Sequence, residues 1–131
     1  MLASQPASAE QKIEVDGFDV HYIVIPTVFL TREIADQYDL VRGKAWSLVN
    51  ISVIDQFGEA RRGKVRGGYR NLLSQNFNLD FREVVEDQAV YYLAPVKHTE
   101  EDTFRFDLTI DLPGERPLDI KFTQKMYRGL E

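Results

Sequence analysis

The chain has 131 residues, of which 44% are hydrophobic and 28% charged, and its net charge is -5. This length and composition fit one globular domain whose core forms without disulfides or metals, and the absence of cysteine excludes thiol chemistry. The acidic balance argues against nucleic acid as a partner, and no apolar run reaches the roughly 18 residues of a membrane-spanning helix.

The first nine residues are small and largely uncharged, and Ala7-Ser8-Ala9 has the small-x-small pattern of a signal-peptide cleavage site. We interpret residues 1–9 as the remnant of a signal peptide that lacks its basic and apolar parts. A plain flexible tail is the alternative interpretation. Residues 10–131 are then predicted to form a single domain, and export through a cleaved signal peptide predicts a periplasmic location.

Alternation of apolar and polar residues is the dominant pattern of the chain and predicts β-strands. The predicted strands cover residues 18–24, 45–55, 64–73, 77–81, 89–94, 104–112 and 118–123. Gly67 and Gly68 weaken the third of these, which favours a bulge or an edge position there. The last two strands flank a Pro113-Gly114 turn and are predicted to pair as an antiparallel hairpin.

A single helix is predicted, over Arg32 to Tyr38, with Thr31 as its N-cap and an apolar stripe at helical spacing. Many strands and one short helix predict an all-β fold, namely an immunoglobulin-like antiparallel β-sandwich of about seven strands. A small closed barrel is the alternative architecture.

Five short segments, spread in order over residues 18–127, carry a family resemblance. They are Thr27-Val28-Phe29-Leu30 followed by Ala35, Tyr38 and Arg42; Asn50-Ile51-Ser52-Val53; Asn71-Leu72-Leu73; Phe81-Arg82-Glu83-Val84; and Tyr91-Tyr92-Leu93-Ala94. In their order and spacing the chain resembles the uncharacterised proteobacterial proteins of domain-of-unknown-function family 4426. The resemblance implies an exported β-sandwich protein with a cleaved signal peptide. It implies no activity and assigns no functional residue.

Basic residues are concentrated in one stretch, residues 61–70, where five of ten positions are Arg or Lys. A charged edge strand that discourages edge-to-edge pairing is one interpretation. A docking patch for an acidic partner or an anionic envelope polymer is the other. The candidate partner-binding residues are Arg62, Lys64, Arg66, Tyr69 and Arg70. Nucleic acid is not the predicted ligand, because the chain as a whole is acidic.

Trp46 is the only tryptophan and a further candidate partner-binding residue. If Val49, Ile51 and Val53 point inward, strand parity places Trp46 on the opposite face. It is then either an exposed binding hot spot or a side chain covered by the short helix around residues 34–38.

Metal binding has weak candidates in Glu100, Glu101 and Asp102, which follow His98 in an acidic loop. Three carboxylates suit Ca²⁺, but the spacing is not that of an EF-hand, and a solvated loop is the alternative. Zinc would need more than one nearby His or Cys. No cofactor is predicted.

Catalysis lacks a recognisable set of residues, since there is no Gly-x-Ser-x-Gly elbow and only His21 and His98 could serve as the usual base. Parity places His21 on the solvent side of its strand. Tyr91-Tyr92 could include a tyrosine corner, which would be structural.

Three functional hypotheses follow. The first is a periplasmic protein-interaction module without catalytic activity, bound to an envelope protein. The alternative is a periplasmic protein that binds a small ligand or Ca²⁺, and the third is an enzyme of unrecognised type. Neither nucleic acid nor a membrane span is expected.

Overall fold

Antiparallel strand pairing builds almost all of the regular structure in the computed structural model, which describes residues 10–99 and 101–127. Its elements are β1 (Gln11–Val15), β2 (Phe18–Pro26), a 3₁₀ turn (Thr27–Phe29), α1 (Arg32–Gln37), β3 (Trp46–Ile54), β4 (Lys64–Arg70), β5 (Asn76–Asn78), β6 (Arg82–Glu86), β7 (Ala89–Lys97), β8 (Thr103–Asp111) and β9 (Leu118–Lys125). Sheet A has the strand order β1-β2-β3-β7-β6, and sheet B has the order β5-β4-β8-β9. The predicted all-β sandwich with one short helix is confirmed.

The described residues hold nine strands rather than about seven, and the two extra strands have different origins. β1 pairs with β2, and the loop that joins them consists of Asp16 and Gly17, which have φ angles of 50° and 85°. An Asp-Gly pair at positive φ makes the two-residue hairpin loop that matches strand twist, so this signal was present in the sequence. The predicted strand 77–81 is wrong, because β5 ends at Asn78 and the chain then crosses to β6 in sheet A.

The core lies between the two sheets and is built by the apolar side of each alternating strand. Its fully buried members include Val20, Val49, Ile51 and Val53 from sheet A and Phe106, Leu108, Ile110, Leu118 and Ile120 from sheet B. Aromatic rings cross it, with Phe122 stacked between Phe106 at 4.8 Å and Tyr22 at 4.1 Å. These contacts fix which face of sheet B points inward and therefore which face meets solvent.

The connection between β2 and β3, residues 27–45, covers part of the outer face of sheet A. The helix α1 lies in this connection, with the side-chain oxygen of Thr31 accepting from the Ile34 amide at 3.2 Å, as the predicted helix requires. A second apolar cluster seals the contact and consists of Ile23, Ile25, Leu30, Leu48, Val84 and Leu93. α1 is therefore a covering element outside the main core.

Two residues of the resemblance segments hold this connection in place. The buried Thr27 hydroxyl donates to the carbonyls of Gly43 and Trp46 and accepts from the Gly43 amide at 2.9 Å. The Arg42 guanidinium donates to the carbonyls of Leu30, at 2.8 Å, and Val28. These side chains satisfy backbone groups in a long loop, so their role is structural.

Candidate binding site on the outer face of sheet B

The outer face of sheet B contains a depression of about 580 Å³ that is open to solvent. Its centre is Gly68, which has no side chain and pairs with Asn78 on β5 and Asp107 on β8. A Cβ atom at Gly68 would collide with the backbone of Phe77, so the close approach of β5 requires glycine here. Polar and charged side chains form the walls, mainly Arg70, Asn76, Arg105, Lys121 and Thr123.

Charges on this face are arranged in rows that run across the strands. One row joins Lys64 to Asp111; a second joins Arg66, Thr109 and Asp119; a third joins Gly68, Asp107 and Lys121; and a fourth joins Asn76, Arg70, Arg105 and Thr123. The first three rows each contain one cation and one carboxylate. Only the fourth row places two cations side by side with no acid.

Arg70 and Arg105, the arginine pair, lie directly opposite each other in the β4–β8 register. Both side chains are exposed. The Arg70 guanidinium donates to the side-chain carbonyl of Asn76 at 3.2 Å, and within residues 10–99 and 101–127 Arg105 has no hydrogen-bond or ion-pair partner. Directly opposed like charges destabilise a sheet, so this pair works against folding.

The other basic residues of the stretch are mostly committed to acids. The Arg62 guanidinium contacts Glu83 at 2.6 Å, and that of Arg66 contacts Asp111 at 2.8 Å, which raises the pKa of both arginines through these hydrogen bonds. Lys64 lies at the start of β4, near the opposite end of that strand from the arginine pair. The predicted contact set Arg62, Lys64, Arg66, Tyr69 and Arg70 is thus not one patch.

Tyr69, also in that set, faces inward rather than toward the depression. Its ring lies 4.4 Å from that of Phe104 and 5.1 Å from that of Phe77. Burial raises the pKa of its phenol, with a smaller contribution from the charge of Asp102. Tyr69 therefore supports the depression from below.

A buried phenol joins the two sheets next to Arg62. The Tyr92 hydroxyl accepts from the Gly63 amide at 2.8 Å and donates to Glu83 Oε2 at 2.7 Å. Burial is the main reason that the pKa of Tyr92 is raised to about 12, and the hydrogen bond from Arg62 is the first cause of a lowered pKa at Glu83. Gly63 is 29 residues upstream of Tyr92, so this contact resembles a tyrosine corner in purpose but spans a much longer range.

Trp46 is half-buried on the outer side of sheet A, opposite to the inward-facing Val49, as parity predicts. Its indole lies 3.5 Å from where a Cβ on Gly43 would stand, and the Lys97 ammonium is 6.0 Å from the ring centroid. The loop at Gly43 is thus one of the neighbours of the indole.

His98 is buried instead of belonging to a solvated acidic loop. Its Nδ1 donates to the Thr99 carbonyl at 2.8 Å, and its Nε2 lies in hydrogen-bond contact with the Ser47 hydroxyl at 2.6 Å. Ser47 and His98 are only 2% and 5% exposed, so solvent and solutes do not reach this pair. The pair satisfies two buried polar side chains.

The acidic loop predicted as a weak metal site is only partly described. Asp102 accepts hydrogen bonds from the amide and hydroxyl of Thr99, at 2.7 and 2.9 Å, and closes the turn between β7 and β8. Glu101 is exposed, and Glu100 lies outside the described residues. Among the residues described, no group of three or more His, Cys, Asp or Glu side chains is placed to hold a metal ion.

A second depression, of about 780 Å³, occupies the part of sheet A that residues 27–45 leave uncovered. His21, Ser52 and Tyr91 line it, and the His21 Nδ1 lies 3.5 Å from a carboxylate oxygen of Glu10. His21 is thus on the outer side of its strand, as parity predicts.

Arg105 is the site residue that the sequence pattern missed. It alternates with Phe104 and Phe106 as any solvent-facing residue of β8 would. Arg105 matters because it lies directly opposite Arg70, which is 35 positions away in the sequence. No local sequence pattern predicts that register.

The fold and this face together describe a β-sandwich with a partly cationic recess on an open sheet. The sequence from residue 12 to residue 129 matches the model of the family Domain of unknown function (DUF4426). The chain belongs to this family, which confirms the resemblance.

Solved structures agree with that assignment. The chain is similar to a DUF4426 family protein from Pseudomonas aeruginosa PAO1, with 28% identity, a TM-score of 0.84, and coverage of 92% of this chain and 97% of that one. It also shares its fold with FetP of uropathogenic E. coli strain F11, recombinantly expressed in the periplasm of E. coli, at 12% identity, a TM-score of 0.67, and coverage of 94% and 97%. A copper-bound FetP variant gives 11% identity, a TM-score of 0.62, and coverage of 92% and 97%.

At this level of identity the likeness to FetP concerns the fold alone. None of the curated proteins is significantly similar in sequence. None of the helices described here has both the length and the apolar character to span a membrane.

Proposed function

We propose that the chain is a non-catalytic binding domain of the bacterial periplasm that docks an acidic protein partner on the outer face of sheet B. The observation that carries the proposal is the depression around Gly68, whose walls include the arginine pair, which contacts no acidic side chain of the described residues. The side chains along this face are exposed, and none of the described segments crosses it. A recess on an open sheet that is lined by aromatic residues and by a few amides and cations is suited to binding.

An acidic partner is favoured by the local charge. Arg70, Arg105 and Lys121 stand around the recess against the single carboxylate of Asp107, whereas the whole chain has a net charge of -5. Positive charge concentrated on one face of an acidic protein steers a complementary partner to that face. The remaining surface carries the excess of negative charge and repels an acidic partner.

The periplasmic location rests on the signal-peptide pattern of Ala7-Ser8-Ala9 and on the fold shared with FetP. Residues 1–9 lie outside the described part of the chain. Edman sequencing of the protein recovered from cells that express the full gene would test it. A mature N-terminus close to Glu10 in the osmotic-shock fraction supports export, and uncleaved protein in the cytoplasm contradicts it.

The docking proposal is tested by site-specific crosslinking, which is clean because the natural chain has no cysteine. A cysteine-reactive photocrosslinker is attached to Asn78→Cys, beside Gly68, and to Lys12→Cys, an exposed position on β1 of the other sheet. We expect one dominant, saturable protein adduct from Asn78→Cys and none from Lys12→Cys. The added substitution Thr123→Trp should reduce that adduct, since a bulky ring would fill the recess without changing its charge.

Equal labelling from both cysteines would contradict the proposal, as would an adduct that Thr123→Trp leaves unchanged. Mass spectrometry of the captured partner gives a further check. The partner segment crosslinked to Asn78→Cys should be rich in Asp or Glu.

A small-ligand function is the second candidate, and the depression lined by His21, Ser52 and Tyr91 favours it. A thermal-shift screen of periplasmic metabolites and of Ca²⁺ tests this function, because a ligand specific to the native state must raise the melting temperature. The increase should disappear in Ser52→Trp. A screen with no shift would remove this candidate.

A further inference from the structure

We infer that the arginine pair is a carboxylate-binding site, in which Arg70 and Arg105 together hold one side-chain carboxylate of an extended acidic peptide. The inference rests on the proposed docking function and specifies the chemical group that the partner must present. It also identifies a pair of residues, rather than the whole basic stretch, as the place of contact.

Strand register brings the two guanidinium groups together. Residues directly opposite on an antiparallel pair have Cβ atoms about 5 Å apart, so both side chains of the arginine pair can reach one small anion. Asn76 on one side and Thr123 on the other complete the row with neutral hydrogen-bonding groups. The recess at Gly68, one step along the same face, leaves room for the chain that carries the anion.

The free protein leaves this pair without compensation, whereas its neighbours are compensated. Arg66 reaches Asp111 at 2.8 Å, and Lys121 lies 3.9 Å from Asp107. No carboxylate among residues 10–99 and 101–127 forms an ion pair with Arg70 or Arg105. An anion from outside the chain would convert the repulsion into two charge-assisted contacts.

A carboxylate fits the row better than a phosphate. The planar fork of each guanidinium matches a carboxylate, and a group with a single negative charge is repelled less by the nearby Asp107 than a phosphate is. Asp107 lies two residues from Arg105 on the same face of β8, about 7 Å along the strand. Asn76 and Asn78 offer side-chain amides that can pair with a peptide backbone.

The test titrates the full chain with tetraglutamate and, separately, with inorganic phosphate, while backbone amide NMR shifts are recorded. We expect tetraglutamate to shift the amides of Arg70, Arg105 and Thr123. Arg105→Gln and Arg70→Gln should each weaken that binding about tenfold or more, as loss of a charge-assisted contact does. Added NaCl should weaken it as well.

Lys64→Gln is the matched control. It removes the same charge from the same exposed face of β4, about 20 Å from Arg70, and should change the affinity less than about twofold. Equal weakening by Lys64→Gln and Arg105→Gln would show diffuse attraction and overturn the inference. So would a titration in which tetraglutamate shifts none of the row's amides.

Phosphate shifts at the arginine pair without tetraglutamate shifts would assign the site to a phosphate-bearing ligand and overturn the carboxylate assignment. Failure of the two proposals is distinguishable. If the Asn78→Cys adduct persists in Arg105→Gln, the docking function stands and the carboxylate site is wrong. If tetraglutamate binds at the arginine pair but cells give no adduct, the site stands and the docking function is wrong.

Discussion

Removing the hydroxyl of Tyr92 tests how much its hydrogen bonds to Gly63 and Glu83 contribute to the stability of the fold. In Tyr92→Phe the ring keeps its place in the core, where it is 3% exposed, but the Gly63 amide loses its acceptor at 2.8 Å and Glu83 loses a donor at 2.7 Å. Each net hydrogen bond contributes about 0.5–1.5 kcal/mol, and a part-buried amide without a partner adds to the loss. We expect the unfolding free energy to fall by about 2 kcal/mol.

The pH dependence of the unfolding free energy provides a second, independent test of this contact. The pKa of Tyr92 rises from 10.0 to about 12 on folding, mainly because burial disfavours the phenolate. A raised folded pKa stabilises the protein below pH 10, and this contribution is lost as the pH rises from 10 to about 12. The difference in unfolding free energy between wild type and Tyr92→Phe should therefore shrink over that interval.

Urea unfolding followed by circular dichroism measures both effects. Tyr38→Phe is the control, since the Tyr38 hydroxyl also donates to a carboxylate, that of Glu86, but on the exposed surface. Its effect on stability should be much smaller, because solvent replaces the lost contact. A Tyr92→Phe protein within about 0.5 kcal/mol of wild type, or a stability difference independent of pH, would refute this account of the contact.

Other substitutions test the loops and the recess. Thr27→Val leaves the part-buried Gly43 amide without its acceptor and should cost about 1–3 kcal/mol in urea unfolding; unchanged stability would show that other contacts hold the connection between β2 and β3. Gly68→Ala should speed hydrogen exchange throughout β5, because its Cβ would collide with that strand, whereas Gly58→Ala, which meets open space, should leave β5 exchange as it was. Asn71→Ala removes the side-chain oxygen that accepts from the Leu73 and Gln75 amides, at 3.0 and 2.9 Å, and should increase the exchange rates of both amides; protected amides would contradict the assigned bonds.

Local patterns were sufficient for the parts of the fold in which local chemistry dominates. Alternation located most strands, and the Thr31 cap located α1. The break after Asn78 was missed because Phe77, Leu79 and Phe81 continue the alternation while the chain leaves one sheet for the other. Alternation shows which side chains share one face of a strand, but it does not show to which sheet the strand belongs.

The candidate site follows the same division. The sequence shows a basic stretch, and it contains Arg70, but it gives no sign that Arg62 and Arg66 are neutralised by Glu83 and Asp111. Those acids are 21 and 45 positions away, and only strand pairing brings them to the arginines. His98 is a similar case. Its acidic neighbours in the sequence predicted a solvent-exposed loop, but its side chain pairs with Ser47 in the interior.

By itself, the sequence determined the all-β class, the short helix, the family and the inward face of most strands, because residue periodicity and capping are local properties. Tertiary structure alone decided which charges remain unpaired. The register of β4 on β8 sets Arg70 against Arg105, and the recess around Gly68 lies beside them. Register is fixed by burial of the whole apolar face at once, so no single segment of the sequence contains it.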